Sequence, residues 1–435
     1  MSNSMIRKHG RTTEITHHAE LEVLRRIRKF LLPKDFTVSS ALLEEMAAGY
    51  DIGDTVVNRL LAKNQKFAKP LQAYILNKSS QAESIHSNVE SNNVLITESA
   101  NGSMNESIID SDLSNNLTDN PDFQQLATQF SSHPEWFDPD LAEIGAIAYR
   151  RYPLMLIWLL RNVSLMAGYS IPALSLPLIK TGALVHDALP RLMRTYSYIL
   201  AVSEHPDLNG AQTVLAIGSE GWRQSINVRQ IHAIVRQKLT EDGWDSAYWG
   251  IPINQTDMVA THLQFSLLIM RGLRILGARI SKEEAKGILH LWHLASWWMG
   301  IDLKRLPENE TDCWAWLYTY LATQHLDFEV GKPLADALHR LPSQIMGEDN
   351  RKGRFVELVN ASVTRTLVGD DISDGLGLPK SRLRHGVLVS VPILFGLDTL
   401  RRHNTKAAIK LEDFRAKRQN NMNWWLRQND SYYSE

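Results

Sequence analysis

Asn227-Val228-Arg229-Gln230-Ile231-His232-Ala233-Ile234-Val235-Arg236 is the stretch around which the rest of the chain is best read. Val228, Ile231, Val235 and Leu239 recur at helical spacing and predict one apolar stripe with His232 inside it. Arg229 lies three residues before that imidazole and Arg236 four after it, so two guanidinium groups border it on one side of the helix. Two cations beside a neutral ring call for an anion. A metalloporphyrin would supply both partners, because its iron takes an imidazole nitrogen and its carboxylates pair with arginine. On spacing alone the matter stays open, since a histidine in an apolar stripe is more often a hydrogen-bonded core residue than a ligand.

With 435 residues, 44% of them hydrophobic, the chain can bury one large core or two moderate ones, which predicts a globular, soluble protein. The formal net charge of -1, from 47 basic and 48 acidic residues, provides no field to recruit nucleic acid or an anionic membrane. Cys313 is the only cysteine, which excludes an internal disulfide and any site needing several thiolates, and fits a reducing compartment. Residues 1–20 are polar, without the apolar run of a signal peptide, so cytoplasmic residence is expected. The apolar runs Leu154 to Leu160 and Val387 to Leu397 are shorter than the roughly 20 residues a membrane span takes. Either can line a pocket or rest on a membrane surface.

Helical patterning runs through the chain. The spacing predicts helices from Glu14 to Leu32, Ser39 to Ala48 and Asp54 to Phe67. From Ser79 to Asn120 the composition turns to Ser, Asn, Asp and Glu and predicts a disordered insertion, because so few apolar groups cannot offset the entropy of ordering. Beyond it, helices are expected over Ala142 to Tyr149, Leu154 to Ala167 and His186 to Val202, with an irregular apolar connection around Gly168, Pro172 and Pro177. The His232 helix is expected to stop near Gly243, and Thr256-Asp257 to cap the next, reaching about Leu276. Ser281 with Glu283 and Glu284 predicts a capping box for a helix to Trp298, and further helices follow over Glu310 to Gln324, Pro333 to Leu341 and Phe355 to Thr366. Strand-like alternation is scarce, so the fold class is all-α.

Three other groups of residues bear on chemistry. His290 and His293, three apart on a helix, could hold a metal, but no acidic third ligand shares their face and Trp292, Trp297 and Trp298 surround them. Asp370-Asp371-Ile372-Ser373-Asp374 spells the DDxxD pattern with which prenyl transferases hold magnesium, yet Gly375-Leu376-Gly377 follows at once and predicts a capped loop. Cys313 sits among aromatic residues as an inert thiol. Upstream of the His232 helix, Arg191, Arg194 and Thr195 share one helical face.

Taken in order, several motifs resemble the MpaB and rubber-oxygenase family, which includes the latex clearing proteins. They are Gly168-Tyr169 through Lys180-Thr181-Gly182, Arg191-Leu192-Met193-Arg194-Thr195, Val228-Arg229 with His232 and Val235-Arg236, Pro252-Ile253-Asn254-Gln255 with Thr261 and Phe265, and Leu291-Trp292 through Gly300-Ile301-Asp302 to Leu306-Pro307. The resemblance spans Asp138 to Phe395. It implies a helical bundle with a globin-like core and a b-type haem whose iron is held by His232. It also implies that Arg191 and Thr195 lie near the haem, that Arg194 stands where the rubber oxygenases carry a distal lysine, and that Arg229 and Arg236 flank the ligand. The chain departs from that pattern in two places. Between Ala146 and Arg191 it has no glutamate, the rubber oxygenases' upstream base, and Asp187 is its only acid there. Arginine at residue 194 is not readily deprotonated, so it cannot act as a switchable distal ligand.

The expected organisation is an N-terminal helical region over 1–78, the insertion over 79–120, a catalytic domain over 121–403 and a polar tail over 404–435. The expected function is that of a haem-b oxygenase using dioxygen on an apolar small-molecule substrate, an isoprenoid chain or another olefin rather than rubber itself. In that reading Arg191, Arg194 and Thr195 serve the reaction, and His232, Arg229, Arg236 and Arg191 hold the cofactor. Two alternatives stand beside it: a helical protein that binds an apolar ligand or haem without oxygen chemistry, and a magnesium-dependent prenyl-diphosphate enzyme using Asp370, Asp371 and Asp374.

Overall fold

The structure is a computed structural model that describes residues 21–63, 66–78, 117–181, 188–204 and 213–403. Most of the expected insertion, the expected tail, and the starts of the helices expected from Glu14 and His186 lie outside those residues. The last residues assigned to the insertion are ordered, and Leu117 is buried in the core.

Among the described residues there is no strand, and the fold is all-α. The N-terminal helices are α1 (Glu22–Phe30), α2 (Ser40–Tyr50), α3 (Thr55–Lys63) and α4 (68–78). Next come α5 (Pro121–Phe130), α6 (Pro139–Arg150), α7 (Pro153–Tyr169), α8 (Pro172–Lys180), α9 (Ala188–Val202) and α10 (Glu220–Glu241), the helix of His232. Then α11 runs over Gln255–Leu263, Gln264–Leu268 and Ile269–Ile275 without a break, and α12 spans Lys282–Trp298. The last are α13 (Glu310–Thr323), α14 (Phe328–Met346), α15 (Arg351–Leu367), α16 (Asp370–Gly375) and α17 (Ser390–His403).

The helix starts follow from short polar residues that satisfy orphan amides. Ser219 accepts from the Trp222 amide to open α10, and Ser281 with Glu284 forms the expected capping box of α12. Asn120 and Asp138 cap α5 and α6, each with proline at the first helical position, where a missing N–H costs nothing. Asn254, rather than Thr256 or Asp257, caps α11 by accepting from the Asp257 amide at 2.9 Å.

Three further expectations are corrected. The connection around Gly168 and Pro172 is helical: α7 runs on to Tyr169, and α8 begins at Pro172 after a bend of 98°. Proline suits that first turn, so it starts a helix where it was expected to interrupt one. Pro333 and Pro342 lie inside α14, which starts earlier than Pro333 because Asp327 caps it. Residues 370–375 form the short helix α16 rather than a loop.

One continuous core extends from Ile27 on α1 to Leu394 on α17, so the N-terminal helices pack with the rest of the chain. At its centre α6 and α12 cross backbone to backbone. A Cβ on Gly145 would stand 2.1 Å from the Gly287 carbonyl carbon, and one on Gly287 would stand 2.5 Å from the Leu141 oxygen. Beside that crossing, α7 and α11 each contain a π-helical turn, Leu160–Leu165 and Gln264–Leu268. The wider turns disturb the helical carbonyl ladder, and hydroxyls from neighbouring helices bond to two of the carbonyls. Ser164 donates to the Gln264 oxygen at 2.7 Å and Tyr149 to the Phe265 oxygen at 2.5 Å. Among the described residues no single helix is long and apolar enough to cross a membrane.

Candidate active site

The His232 helix is turned relative to the sequence expectation. Its buried residues are Gly221, Trp222, Ser225, Ile226, Arg229, Ala233, Arg236 and Leu239, whereas Ile231 is 54% exposed and Ile234 40%. Val228 and Val235 are half-buried. Both arginines therefore point inward, and the apolar stripe expected to be core lies partly open. The reason is a set of partners contributed by distant segments.

Arg229 donates from Nε to Asp54 at 2.6 Å and from Nη1 to the side-chain oxygen of Gln129 at 2.9 Å, with both members of the ion pair buried. Arg236 donates to the carbonyls of Pro252 at 3.1 Å and Ile253 at 2.9 Å, and to Asn58 Oδ1 at 2.9 Å. Ile253 takes a positive φ of 53°, a conformation costly for a β-branched residue, at the turn that presents these two carbonyls. Gln230, on the same helix, accepts from the amides of Phe67 and Ala68. The two flanking guanidiniums, expected beside an anionic cofactor, thus bind α10 to the N-terminal helices and to the 252–253 turn. Sequence spacing carried no sign of Asp54, Asn58 or Gln129 as members of this framework.

His232 stands between these braces, half-buried. Its Nδ1 is buried, and neither ring nitrogen hydrogen-bonds to a described residue. Burial and the neighbouring Arg236 push its pKa down to about 4, against the opposing pull of Asp54, so the ring is neutral at pH 7. A neutral imidazole with an unpaired nitrogen is the donor form that iron requires.

Across from it, α9 packs against the first turns of α10. The Tyr198 hydroxyl meets Ser225 Oγ at 3.1 Å, and Gly221 leaves room for the Ala201 carbonyl. Among the described residues no hydrogen bond or charge interaction joins Arg191 or Thr195 to His232. Thr195 is half-buried and donates to the Arg191 carbonyl at 3.0 Å, which leaves its lone pairs available. Arg191 is half-buried, and among the described residues no carboxylate or hydrogen-bond acceptor reaches its guanidinium. Burial lowers its pKa, opposed by the hydroxyl of Tyr169 and reinforced by Arg194. Tyr169, itself buried and raised in pKa by that burial, is a neighbour that sequence reading did not assign to the site. Arg194 is exposed.

The other candidates serve packing. His290 accepts from the Asp138 amide at 2.8 Å and stacks on Phe137, while His293 bonds to the Pro307 carbonyl, so the two do not converge. Cys313 is buried, and that burial raises its pKa. Asp370 and Asp374 both pair with Arg365, Asp370 also with Arg384 and Asp374 with Lys380, while Asp371 accepts from the Glu22 amide. These carboxylates join α1, α15 and α16.

His232 with the two arginines beside it on α10, and Arg191 and Thr195 on α9, fall within one segment. Residues 149–393 match the family described as "ER-bound oxygenase mpaB/B'/Rubber oxygenase, catalytic domain". The chain belongs to this family. Among relatives of the MpaB and rubber-oxygenase family, it is similar to the rubber oxygenase of Streptomyces sp. (strain K30), 28% identical over 86 residues. That alignment covers 19% of this chain and 21% of the Streptomyces protein. Among solved structures, the latex clearing protein LCP in the closed state is similar with a TM-score of 0.51 and 19% identity. It aligns over 64% of this chain and 72% of its own, a likeness that shows the shared helical fold.

Proposed function

We propose that this member of the MpaB and rubber-oxygenase family is a haem-b-dependent oxygenase that uses dioxygen on an apolar, olefinic or isoprenoid small molecule. The observation that carries the reading is the His232 imidazole, neutral at pH 7, with a buried Nδ1 that no described residue satisfies. A buried unpaired nitrogen costs about 1–3 kcal/mol, which a bound metal would recover. Bound haem would supply the activation of oxygen.

The chain's own residues supply the rest. His232 would hold the iron. Val228 and Val235, four residues before and three after His232 on the same helix face, would give the macrocycle and substrate an apolar wall. Arg229 and Arg236 would act as positioning residues, fixing the ligand helix through Asp54, Asn58 and the 252–253 carbonyls. Arg191 would meet an anionic group, a propionate or a polarised oxygen, with Thr195 beside it as a hydrogen-bonding neighbour. Exposed Arg194 would attract anions at the rim. We also infer a reducing setting, the cytoplasm, from the single buried Cys313.

The test is an absorption spectrum of purified protein supplied with haem. A Soret band that His232→Ala abolishes supports the proposal, and a band that survives in the variant overturns it. Oxygen consumption with an olefinic substrate then separates an oxygenase from a protein that merely binds haem.

A further inference from the structure

A cavity of about 320 Å³ lies away from His232, Arg191 and Thr195, none of which line it. Its walls come from α1, both π-helical turns, α13 and the α15–α16 junction, and Ile27, Ile171, Leu268, Leu317 and Ile372 make it apolar. At about 30 Å³ per methylene-sized group, the volume holds roughly ten such groups. That is the low end of the ~300–1,000 Å³ range of small-molecule sites.

Two arginines line this apolar space. Arg26 is already engaged, pairing with Glu22 and donating to the Thr366 carbonyl at 2.9 Å. Arg271 is not. It is half-buried, and among the described residues no hydrogen-bond acceptor or carboxylate within ion-pair distance reaches its guanidinium. The nearest acid it senses, Glu310, is bound to Arg274 at 2.5 Å, and Arg274 adds a like charge. The Gln264 side-chain amide, 7% exposed, also faces the cavity without a hydrogen-bond partner among the described residues. A half-buried cation with no counter-charge, at the edge of an apolar chamber, matches a ligand with one anionic end and a hydrocarbon body.

We infer that this cavity binds an anionic amphiphile, its head on Arg271 and Gln264 and its chain of about ten carbons between α1 and α13. The site stands apart from the proposed haem function and does not depend on it. Calorimetric titration of the full chain with decanoate, decan-1-ol and acetate tests it. Decanoate is expected to bind, decanol to bind at least about tenfold more weakly, and acetate not at all, since a charge-assisted contact contributes a factor of about ten or more.

Arg271→Gln is expected to weaken decanoate by about tenfold or more and leave decanol within about twofold. Leu321→Trp, which fills the cavity from half-buried Leu321 on α13, is expected to weaken both. Unchanged thermal unfolding of the two variants shows that folding is intact, and if either misfolds the other still decides. Decanoate affinity unaltered by a folded variant overturns the inference. So does decanoate binding that is lost in His232→Ala, because the ligand would then occupy the His232 site.

Discussion

The guanidinium of Arg229 meets the carboxylate of Asp54 at 2.6 Å, with the two side chains 6% and 5% exposed. This buried pair joins α10 to the start of α3 across 175 residues of sequence. Removing one partner leaves a buried charge uncompensated, whereas replacing both with apolar groups removes the desolvation cost as well. Asp54→Ala is expected to destabilise the protein by about 3–5 kcal/mol in urea unfolding, and the double variant Asp54→Leu/Arg229→Met by far less. Equal losses in the two would mean that the pair acts through shape rather than charge.

Gly300 closes the same framework. Its φ is +92°, and a Cβ there would stand 2.5 Å from Asp54 Oδ2 and 2.9 Å from Arg229 Nε. Gly300→Ala is expected to cost more than the ~1–3 kcal/mol of a strained backbone alone. Gly377 offers the control: its φ is +76° with nothing within 4 Å, so Gly377→Ala carries only the backbone term. Thermal unfolding of the two variants separates strain from collision.

Much of the architecture was legible in the sequence because helix ends are local. Ser281 announces its helix within four residues, and the capping box with Glu284 formed as expected. The orientation of α10 was not legible. Spacing put Arg229 and Arg236 on the imidazole's side of the helix, but the partners that hold them there, Asp54, Asn58 and the strained turn at Ile253, come from distant segments, and Ile231 of the expected stripe is exposed. The same distance hid the role of the DDxxD segment, whose Asp370 and Asp374 are claimed by Arg365. His232, Arg191 and Thr195 could be named from spacing and resemblance, but the unpaired Nδ1 and the nearby Tyr169 emerge only from packing.

Acid should destabilise the haem-free protein through its buried histidines. The pKa of His232 is about 4 when folded, below the ordinary value near 6.5, so above pH 6.5 the ring is neutral in both states and contributes no pH dependence. As pH falls from 6.5 towards 4 the unfolded chain takes up the proton first, and stability is lost across that window. The full effect is on the order of 3 kcal/mol, reduced because the side chain is half-buried rather than sealed. His293, also pushed to about 4, and His262, pushed further down by burial, add to the loss. Urea unfolding at pH 7, 5.5 and 4.5 is expected to show His232→Leu losing less stability on acidification than the unmodified chain. Parallel curves would place the ring in water.

Arg191 should matter to ligand binding more than to folding. No described residue accepts a hydrogen bond from its guanidinium, so Arg191→Gln is expected to change stability by less than about 1 kcal/mol. On the proposed function, an anionic group of the bound haem or oxygen would gain a charge-assisted hydrogen bond from it, and losing one costs about 1.5–3 kcal/mol. Haem affinity or oxygenase turnover is therefore expected to fall roughly 10–100-fold in Arg191→Gln, with the Soret position shifted if the group it meets is on the iron. Exposed Arg194 gives the contrast: Arg194→Gln, whose charge is screened by water and salt, is expected to change either quantity only a few-fold, and less as ionic strength rises. If Arg191→Gln unfolds the protein and leaves haem affinity intact in the folded fraction, Arg191 is a packing residue and the oxygen-side role passes to Thr195 alone.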